Sequence, residues 1–446
     1  ILKLTLVLGF IFAAIMYLGA PIQAAWSGGG NDLIRVMKSL SWAVLLFPSM
    51  SVLRGFFQGF NNLKPYAMSQ IAEQVIRVIW MLLTAFMIMK IGSGDYVSAV
   101  VQSTFAAFIG MIASVMVLIF FLWKEGKLQA ILSKDTEEID IDANAIIIET
   151  VKEAIPFIIT GAAIQLFQLV DQWSFINSMK LFTSHSLKEL QILYAYLSSN
   201  PNKVTMILIS LATAIGGAGI PLLTENFVNK DKKAAAHLVI NSLQMLCMVL
   251  LPAMMGAIIL AQPLYTLFYG APNNDALWLF VVALIQVIFL ALYSLLAPML
   301  QALFENRKAI NYFAYGLVVK IVLQVPFIFL FKAYGPLLST AIGLMIPIIL
   351  MFNQIHAVTQ FNRKALWRGI LLVCILTAIM GIVVALGTFG LHFIISPTTR
   401  LGSVIYLVLM GTFGVAVYGF LALATHLLDK LIGNKAKTLR KKLHLE

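Results

Sequence analysis

The sequence is a succession of apolar runs, each about 20 residues long, separated by short polar segments. A helical run of this length crosses the roughly 30 Å hydrocarbon core of a bilayer. Only 11% of the residues are charged and the mean hydropathy is +0.93, whereas soluble domains are roughly a quarter charged. The pattern therefore predicts an all-α polytopic membrane protein.

We predict twelve transmembrane helices. They are expected at residues 2–20, 39–57, 67–89, 97–122, 153–177, 202–224, 236–260, 276–301, 309–331, 337–356, 368–390 and 402–428. Twenty of the 31 Lys and Arg residues fall at one side of these spans and eight at the other. The richer side should be cytoplasmic, which predicts a multi-pass plasma-membrane protein with its C-terminus inside. This placement explains the net charge of +12 without a nucleic-acid partner.

Two polar segments suggest domain boundaries. The first, at residues 133–144, is acidic and reads as a solvated cytoplasmic linker. The second, from residue 429, is basic and should lie against anionic membrane lipids. The resulting domains are an N-terminal lobe, an acidic linker, a C-terminal lobe, a final helix pair and a basic cytoplasmic tail, at residues 1–132, 133–150, 151–360, 361–428 and 429–446.

The two lobes carry a weak internal repeat. At offsets of 242 and then 243 residues it aligns Pro21 with Pro263, Gly28 with Gly270, Ser51 with Ser294, Gln58 with Gln301, Lys64 with Arg307, and Arg77 with Lys320. Such repeats predict two pseudo-symmetric six-helix lobes about an axis along the membrane normal, with a substrate path between them. Since the first lobe has only four spans here, we expect two more helices before Ile1, which makes fourteen in the full protein.

Arg77 and Lys320 are the two cations that fall well inside predicted spans. Each lies about 16 Å into its span, near the bilayer midplane. An unpaired cation at this depth costs at least about 2.5 to 3.5 kcal/mol, so it usually faces a cavity or a partner. Glu73 lies four residues before Arg77, and a Glu73–Arg77 salt bridge explains that arginine as well as a cavity does. Lys320 has no acid within one turn, which favours a cavity.

The fifth span carries Gln165, Gln168 and Asp171 on one helical face. Polar groups on one face inside a membrane should line water or meet another helix. Substrate binding and interhelical hydrogen bonding both remain open for this face. Asp171 has a further alternative, which is an ion pair with a cation of a neighbouring helix.

The cytoplasmic end of the second span carries a further polar group, made of Arg54, Gln58 and Asn61. Snorkelling of these side chains to the lipid headgroups is the simpler interpretation. Contact with the substrate is the alternative.

Motifs of catalysis are missing from the sequence. It contains no GxxxxGK[ST] phosphate-binding loop, no HExxH and no GxSxG, and its histidines are scattered at loops and helix ends. Cys247 and Cys374 lie inside apolar spans, where they read as packing residues. We therefore expect a protein that is not an enzyme, without a cofactor and without a metal site.

The segment RGFFQGFNNLKPYAMSQIAEQVIRV, which begins at Arg54, and GIPLLTENFVNKDKKAAAHL, which begins at Gly219, resemble one family. It is the polysaccharide-transporter branch of the multidrug/oligosaccharidyl-lipid/polysaccharide exporter superfamily, and within it the Gram-positive MurJ-type lipid II flippases and SpoVB-like proteins. The resemblance implies fourteen helices, a cationic cavity between two lobes, and export of a lipid-linked, pyrophosphate-bearing cell-wall precursor. The family's cavity arginine in the second helix of the second lobe has no counterpart here except Lys203, at the outer end of that span.

These expectations combine into a transport hypothesis. A lipid-linked oligosaccharide would cross by alternating access, with Arg77 and Lys320 binding its diphosphate and the polar face of the fifth span lining the path. The alternatives are an exporter of another polysaccharide or teichoic precursor, a multidrug exporter of the same superfamily, and a scaffold of the cell-wall synthesis machinery. That machinery is also an expected partner of a flippase.

Overall fold

The computed structural model describes residues 2–28, 30–60, 62–127, 143–393, 395–428 and 440. All regular secondary structure in these ranges is helical. The chain divides into two compact units, Ile1–Thr150 and Val151–Glu446. The division falls next to the predicted start of the C-terminal lobe, while the five-part domain scheme as a whole stays a prediction.

The first unit is built from four long helices. They are α1 (Leu2–Trp26), α2 (Asn31–Gly59), α3 (Leu63–Phe86) and α4 (Tyr96–Lys124). A π-helical turn, Met87–Ile91, continues α3 to its end. The Asp95 carboxylate accepts a hydrogen bond from the backbone N–H of Val97 and so caps α4, as acidic side chains do at helix N-termini.

The helices of the rest of the chain follow in one series. They are α5 (Ala143–Gly161), α6 (Ala163–Phe182), α7 (Leu187–Tyr194), α8 (Asn200–Val228), α9 (Lys232–Ile259), α10 (Ala261–Tyr269), α11 (Asn274–Ala302), α12 (Asn306–Phe331), α13 (Gly335–Thr359), α14 (Arg363–His392) and α15 (Arg400–Ala424). Helices α5 and α6 meet at a bend of 48°. The core of the second unit lies around α11, which buries an unbroken series of residues from Leu295 to Ala297.

The described helices are those of a multi-pass membrane protein. Ten stretches are long and apolar enough to cross a bilayer, or eleven when the bent α5–α6 pair is taken as one span. One of them, Asn306–Thr359, is 54 residues long and contains both α12 and α13. The all-α polytopic fold is confirmed, and the count of twelve stays a prediction.

The two polar segments lie largely outside the described residues. The structure describes none of the acidic residues 133–142 and, of the basic tail from residue 429, only Arg440. Helix α5 begins at Ala143, ahead of the predicted span start at residue 153. The apolar residues 145–148 directly follow the acidic segment and continue into the apolar stretch of α5, so the end of the segment assigned to the linker belongs to this helix.

Equivalent helix pairs in the two units make the same close contact. A Cβ added to Gly110 of α4 would lie 2.7 Å from the Glu73 carbonyl oxygen and 3.1 Å from the Arg77 Cβ. A Cβ added to Gly343 of α13 would lie 3.0 Å from the Gly316 carbonyl oxygen and 3.0 Å from the Lys320 Cβ. This agreement supports the alignment of Arg77 with Lys320.

Candidate functional site

A buried ion pair joins three helices of the second unit. Lys320 of α12 is completely buried, and its ammonium donates to the Asp171 carboxylate of α6. The ammonium also donates to three oxygens of α13, at 2.7 Å to Thr340 Oγ1, 3.0 Å to Ser339 Oγ and 3.0 Å to the Pro336 carbonyl. Four acceptors therefore surround one charge, and such additional hydrogen bonds are what a buried ion pair needs to offset its desolvation.

Gln324, one turn after Lys320, extends this network. Its side-chain nitrogen donates to Asp171 Oδ1 and to Ser174 Oγ, each at 2.9 Å. Its oxygen accepts a hydrogen bond of 2.6 Å from Ser339. The network thus joins α6, α12 and α13 through buried and partly buried polar groups that satisfy one another.

The Asp171 side chain also borders a small cavity of about 60 Å³, which is lined by both polar and apolar residues. Its polar lining consists of Gln168, Asp171, Ser198, Asn202, Thr205, Gln286 and Thr340. The volume has room for about four water molecules. Lys320 is not among the residues that line the cavity, although its acceptor Thr340 is.

These contacts decide between the alternatives for Asp171 and Lys320. Asp171 forms an ion pair with a cation of a neighbouring helix, as one alternative stated. Lys320 does not face a cavity, contrary to expectation, because its ammonium is enclosed by acceptors from α6 and α13. Gln165 and Gln168 are exposed, and of these two only Gln168 borders the cavity.

A second buried network lies in the first unit, around Arg54 of α2. Its guanidinium donates to Glu73 Oε2 of α3 at 2.7 Å, to Ser114 Oγ of α4 at 2.9 Å, and to Ser69 Oγ of α3 at 3.0 Å. Both serines are fully buried, and the Arg54 side chain is only 12% exposed. Snorkelling of Arg54 to the headgroups is therefore wrong, because three helices enclose its charge.

The predicted Glu73–Arg77 salt bridge is absent. Glu73 faces α2 and pairs with Arg54, whereas Arg77 is exposed. Within the described part of the chain, Arg77 has no ion pair or hydrogen bond through its guanidinium. Gln58 is exposed as well, and Asn61 lies outside the described residues.

Comparison with known proteins identifies the family. Residues 1–227 match the polysaccharide biosynthesis protein family. The lipid II flippase MurJ of Bacillus subtilis (strain 168) is 32% identical, over 97% of this chain and 82% of that relative. The chain belongs to the MurJ flippase family. The resemblance that the Arg54 segment suggested is therefore confirmed.

Solved structures show the same fold as this MurJ-family chain. A lipid II flippase MurJ in an inward closed conformation matches with a TM-score of 0.65, over 96% of this chain and 82% of that chain, at 14% identity. An inward-facing multidrug resistance MATE family transporter of the MOP superfamily matches with a TM-score of 0.59, over 80% of each chain, at 15% identity. The fold is that of a transporter, not of an enzyme.

Sequence reasoning on this MurJ-family chain missed the neutral members of both networks. These are Ser69 and Ser114 in the first unit, and Ser174, Gln324, Ser339 and Thr340 in the second. The sequence signal that could have found them is a polar residue within an otherwise apolar span, because such a group needs a hydrogen-bond partner inside a membrane. That signal does not say which helix supplies the partner.

Proposed function

We propose that this protein flips lipid II, the undecaprenyl-diphosphate-linked precursor of peptidoglycan, across the plasma membrane by alternating access. The observation that carries this proposal is the identity of 32% to the Bacillus subtilis lipid II flippase MurJ over 97% of the chain. The match to the polysaccharide biosynthesis family supports a lipid-linked saccharide as the substrate class.

The exposed polar residues suit such a substrate. Arg77 is a cation inside a membrane helix with its guanidinium uncommitted among the described residues. A guanidinium binds phosphate oxygens through charge-assisted hydrogen bonds, which strengthen in a site of low dielectric constant. Gln165 and Gln168 offer neutral donors and acceptors on one face of α6. Lys320 and Arg54 are not free to take this role in the observed conformation, since buried acceptors occupy both.

A flipping assay tests the proposal. The purified full-length protein is reconstituted into vesicles that carry fluorescent lipid II, and the fraction protected from an external quencher is followed over time. Parallel vesicles carry another undecaprenyl-diphosphate sugar or a teichoic precursor. Movement of lipid II above that in protein-free vesicles is the expected result, and movement of only another precursor would reassign the substrate.

Replacing Arg77 by Gln should slow this flipping. The expected loss is about tenfold, the factor that corresponds to about 1.4 kcal/mol for a lost charge-assisted hydrogen bond. Arg77→Lys keeps the charge and should retain part of the rate, while Lys90→Gln, at the exposed end of the same helix, should retain all of it. An Arg77→Gln protein that flips lipid II at the wild-type rate would remove Arg77 from the proposed site.

The orientation and the partners belong to the same proposal. Twenty of 31 basic residues on one side favour a cytoplasmic C-terminus. A reporter fused after Glu446 that is active only in the cytoplasm would test this orientation.

Association with the cell-wall synthesis machinery would follow from a role as its supplier of precursor, and copurification from crosslinked cells would test it.

A further inference from the structure

An aromatic pocket of about 350 Å³ lies in the second unit, where the starts of α8 and α11 meet the short helix α10. Its polar groups come from three tyrosines and two asparagines, which are Tyr196, Tyr265, Tyr269, Asn200 and Asn273. It shares no lining residue with the cavity beside the ion pair. Its volume falls within the range of about 300 to 1,000 Å³ that small-molecule sites occupy.

The aromatic walls of the pocket are fixed by their own contacts. The Tyr265 side chain is buried, and its ring packs edge-on against Phe280 with 5.5 Å between the ring centres. The side-chain nitrogen of Asn200 donates to Tyr265 Oη at 2.7 Å, and the Tyr269 hydroxyl donates to the Asn200 carbonyl at 3.0 Å. A ligand that binds here would therefore meet walls that are already ordered, which lowers the entropic cost of binding.

Two local departures from regular helix shape this pocket. A π-helical turn, Ala195–Ser199, leads into α8 and carries Tyr196. Such turns are rare and frequently lie at functional sites. Gly270 follows α10 with a φ of +88°, a conformation that glycine adopts at little cost, and the loop after it lines the pocket. The pocket is therefore built from irregular backbone at both of its sides.

Several hydrogen-bonding groups of the pocket have no partner among the described residues. The Tyr196 hydroxyl and Asn200 Oδ1 make no hydrogen bond there. Asn273 Oδ1 accepts from the Ala276 N–H at 2.8 Å and caps α11, which leaves its amide N–H groups available. The Tyr265 hydroxyl accepts from Asn200 and keeps its own hydrogen to donate. The pocket thus offers neutral donors and acceptors beside aromatic rings.

This chemistry suits a neutral ring with a polar edge. None of the described lining residues is charged. The Lys203 ammonium lies 4.7 Å from the centre of the Tyr269 ring, so a cationic ligand would be repelled from the tyrosines. A pyranose packs the C–H groups of its face on an aromatic ring and presents hydroxyls at its edge. Ala271, Pro272 and Ala276 add an apolar surface for a methyl group, such as that of an N-acetyl substituent.

We propose that this pocket binds an N-acetylated sugar unit in its pyranose form. The head group of a lipid-linked saccharide is the source of that sugar, and this part of the proposal rests on the proposed flippase function. The charge distribution predicts that the pocket faces outside, since it lies at the less basic ends of its helices. An exported head group would be released on that side.

Saturation-transfer NMR tests the binding. The full chain is placed in lipid nanodiscs without any sugar-based detergent, and the probe is di-N-acetylchitobiose. Saturation should pass from the protein to the ring and acetyl protons of the probe. Cellobiose has the same rings and linkage but hydroxyls in place of the N-acetyl groups, and it should receive less saturation at equal concentration.

Three variants make the test specific. Ala271→Leu fills the pocket from an exposed loop position and should abolish the transfer. Tyr196→Phe keeps the ring but removes a hydroxyl, and it should weaken binding roughly three- to tenfold, as the loss of one neutral hydrogen bond does. Tyr315→Phe makes the same change at an exposed position of α12 outside the pocket and should bind as the wild type does.

The absence of saturation transfer in the wild type, or equal transfer in Ala271→Leu, would overturn the sugar site. The source of the sugar is tested separately in the flipping assay, where Ala271→Leu should slow lipid II roughly three- to tenfold. A variant that has lost sugar binding but flips lipid II at the wild-type rate would exclude the lipid-linked head group as the source. A wild-type protein that binds the probe but flips no lipid II would overturn the proposed function and leave the sugar site in place.

Discussion

Replacing Asp171 alone by Asn is expected to destabilise the protein by about 3 to 5 kcal/mol, the range for removing one partner of a buried ion pair. The loss arises because Lys320 remains in place as a completely buried cation. Its other acceptors, on α13, are neutral and cannot compensate the charge. The measurement is the apparent melting temperature of the purified protein in detergent, followed by the loss of its monodisperse chromatographic peak.

A double-mutant cycle separates the charge from the packing. Lys320→Gln alone should also destabilise the protein, because it leaves the largely buried Asp171 carboxylate without its counter-ion. The Asp171→Asn/Lys320→Gln double variant should be more stable than either single variant, since neither charge is then unpaired. Additive losses in the double variant would show that the pair contributes through shape alone and would contradict this account of the network.

The distance between partners along the chain explains why the sequence did not reveal this pair. Lys320 and Asp171 are 149 residues apart, and no helical periodicity relates them. The one pairing rule that a sequence offers inside a helix is the spacing of three or four residues, and it suggested Glu73 with Arg77. The actual partner of Glu73 is Arg54, on another helix, because α2, α3 and α4 pack their polar residues together.

The membrane helices and the transporter fold could be predicted from the sequence, because their signals lie within single continuous segments of the chain. Apolar length predicted the membrane helices, and the family signature that begins at Arg54 predicted the transporter fold. The alignment of Arg77 with Lys320 followed from the repeat, and the matching contacts of Gly110 and Gly343 support it. The aligned cations nevertheless have different surroundings, since Arg77 is exposed and Lys320 is buried.

The surroundings differ because the neighbouring helices differ. When Gly110 is matched with Gly343, the acceptors Ser339 and Thr340 of α13 correspond to Ala106 and Ala107 of α4. Two hydroxyls that bind the Lys320 ammonium are thus replaced by methyl groups. Arg77 consequently lacks the corresponding hydrogen-bond acceptors on α4 and is exposed, whereas Lys320 is buried. The same position of the repeat therefore holds a buried, paired cation in the second unit and an exposed cation in the first.

The close approach of α12 to α13 carries the second large prediction, which concerns Gly316. A Cβ at this position would lie 2.3 Å from the Gly343 carbonyl oxygen and 2.8 Å and 2.9 Å from two atoms of Pro347. Backbone and proline ring atoms cannot turn away as a flexible side chain can, so α12 and α13 must move apart. Gly316→Ala is therefore expected to destabilise the protein by about 3 kcal/mol, the upper end of the range for overpacking.

The same substitution at Gly217 is the matched control. Gly217 lies within α8, is exposed, and has no atom within 4 Å of an added Cβ. Alanine there should leave the melting temperature unchanged or raise it, since Ala is favoured over Gly in a helix by roughly 0.5 to 1 kcal/mol. Because Lys320 lies one turn after Gly316, separation of the helices would also pull its ammonium from Ser339 and Thr340. A Gly316→Ala protein as stable as Gly217→Ala would show that the two helices can separate freely, and the rigid α12–α13 pair that holds Lys320 would have to be abandoned.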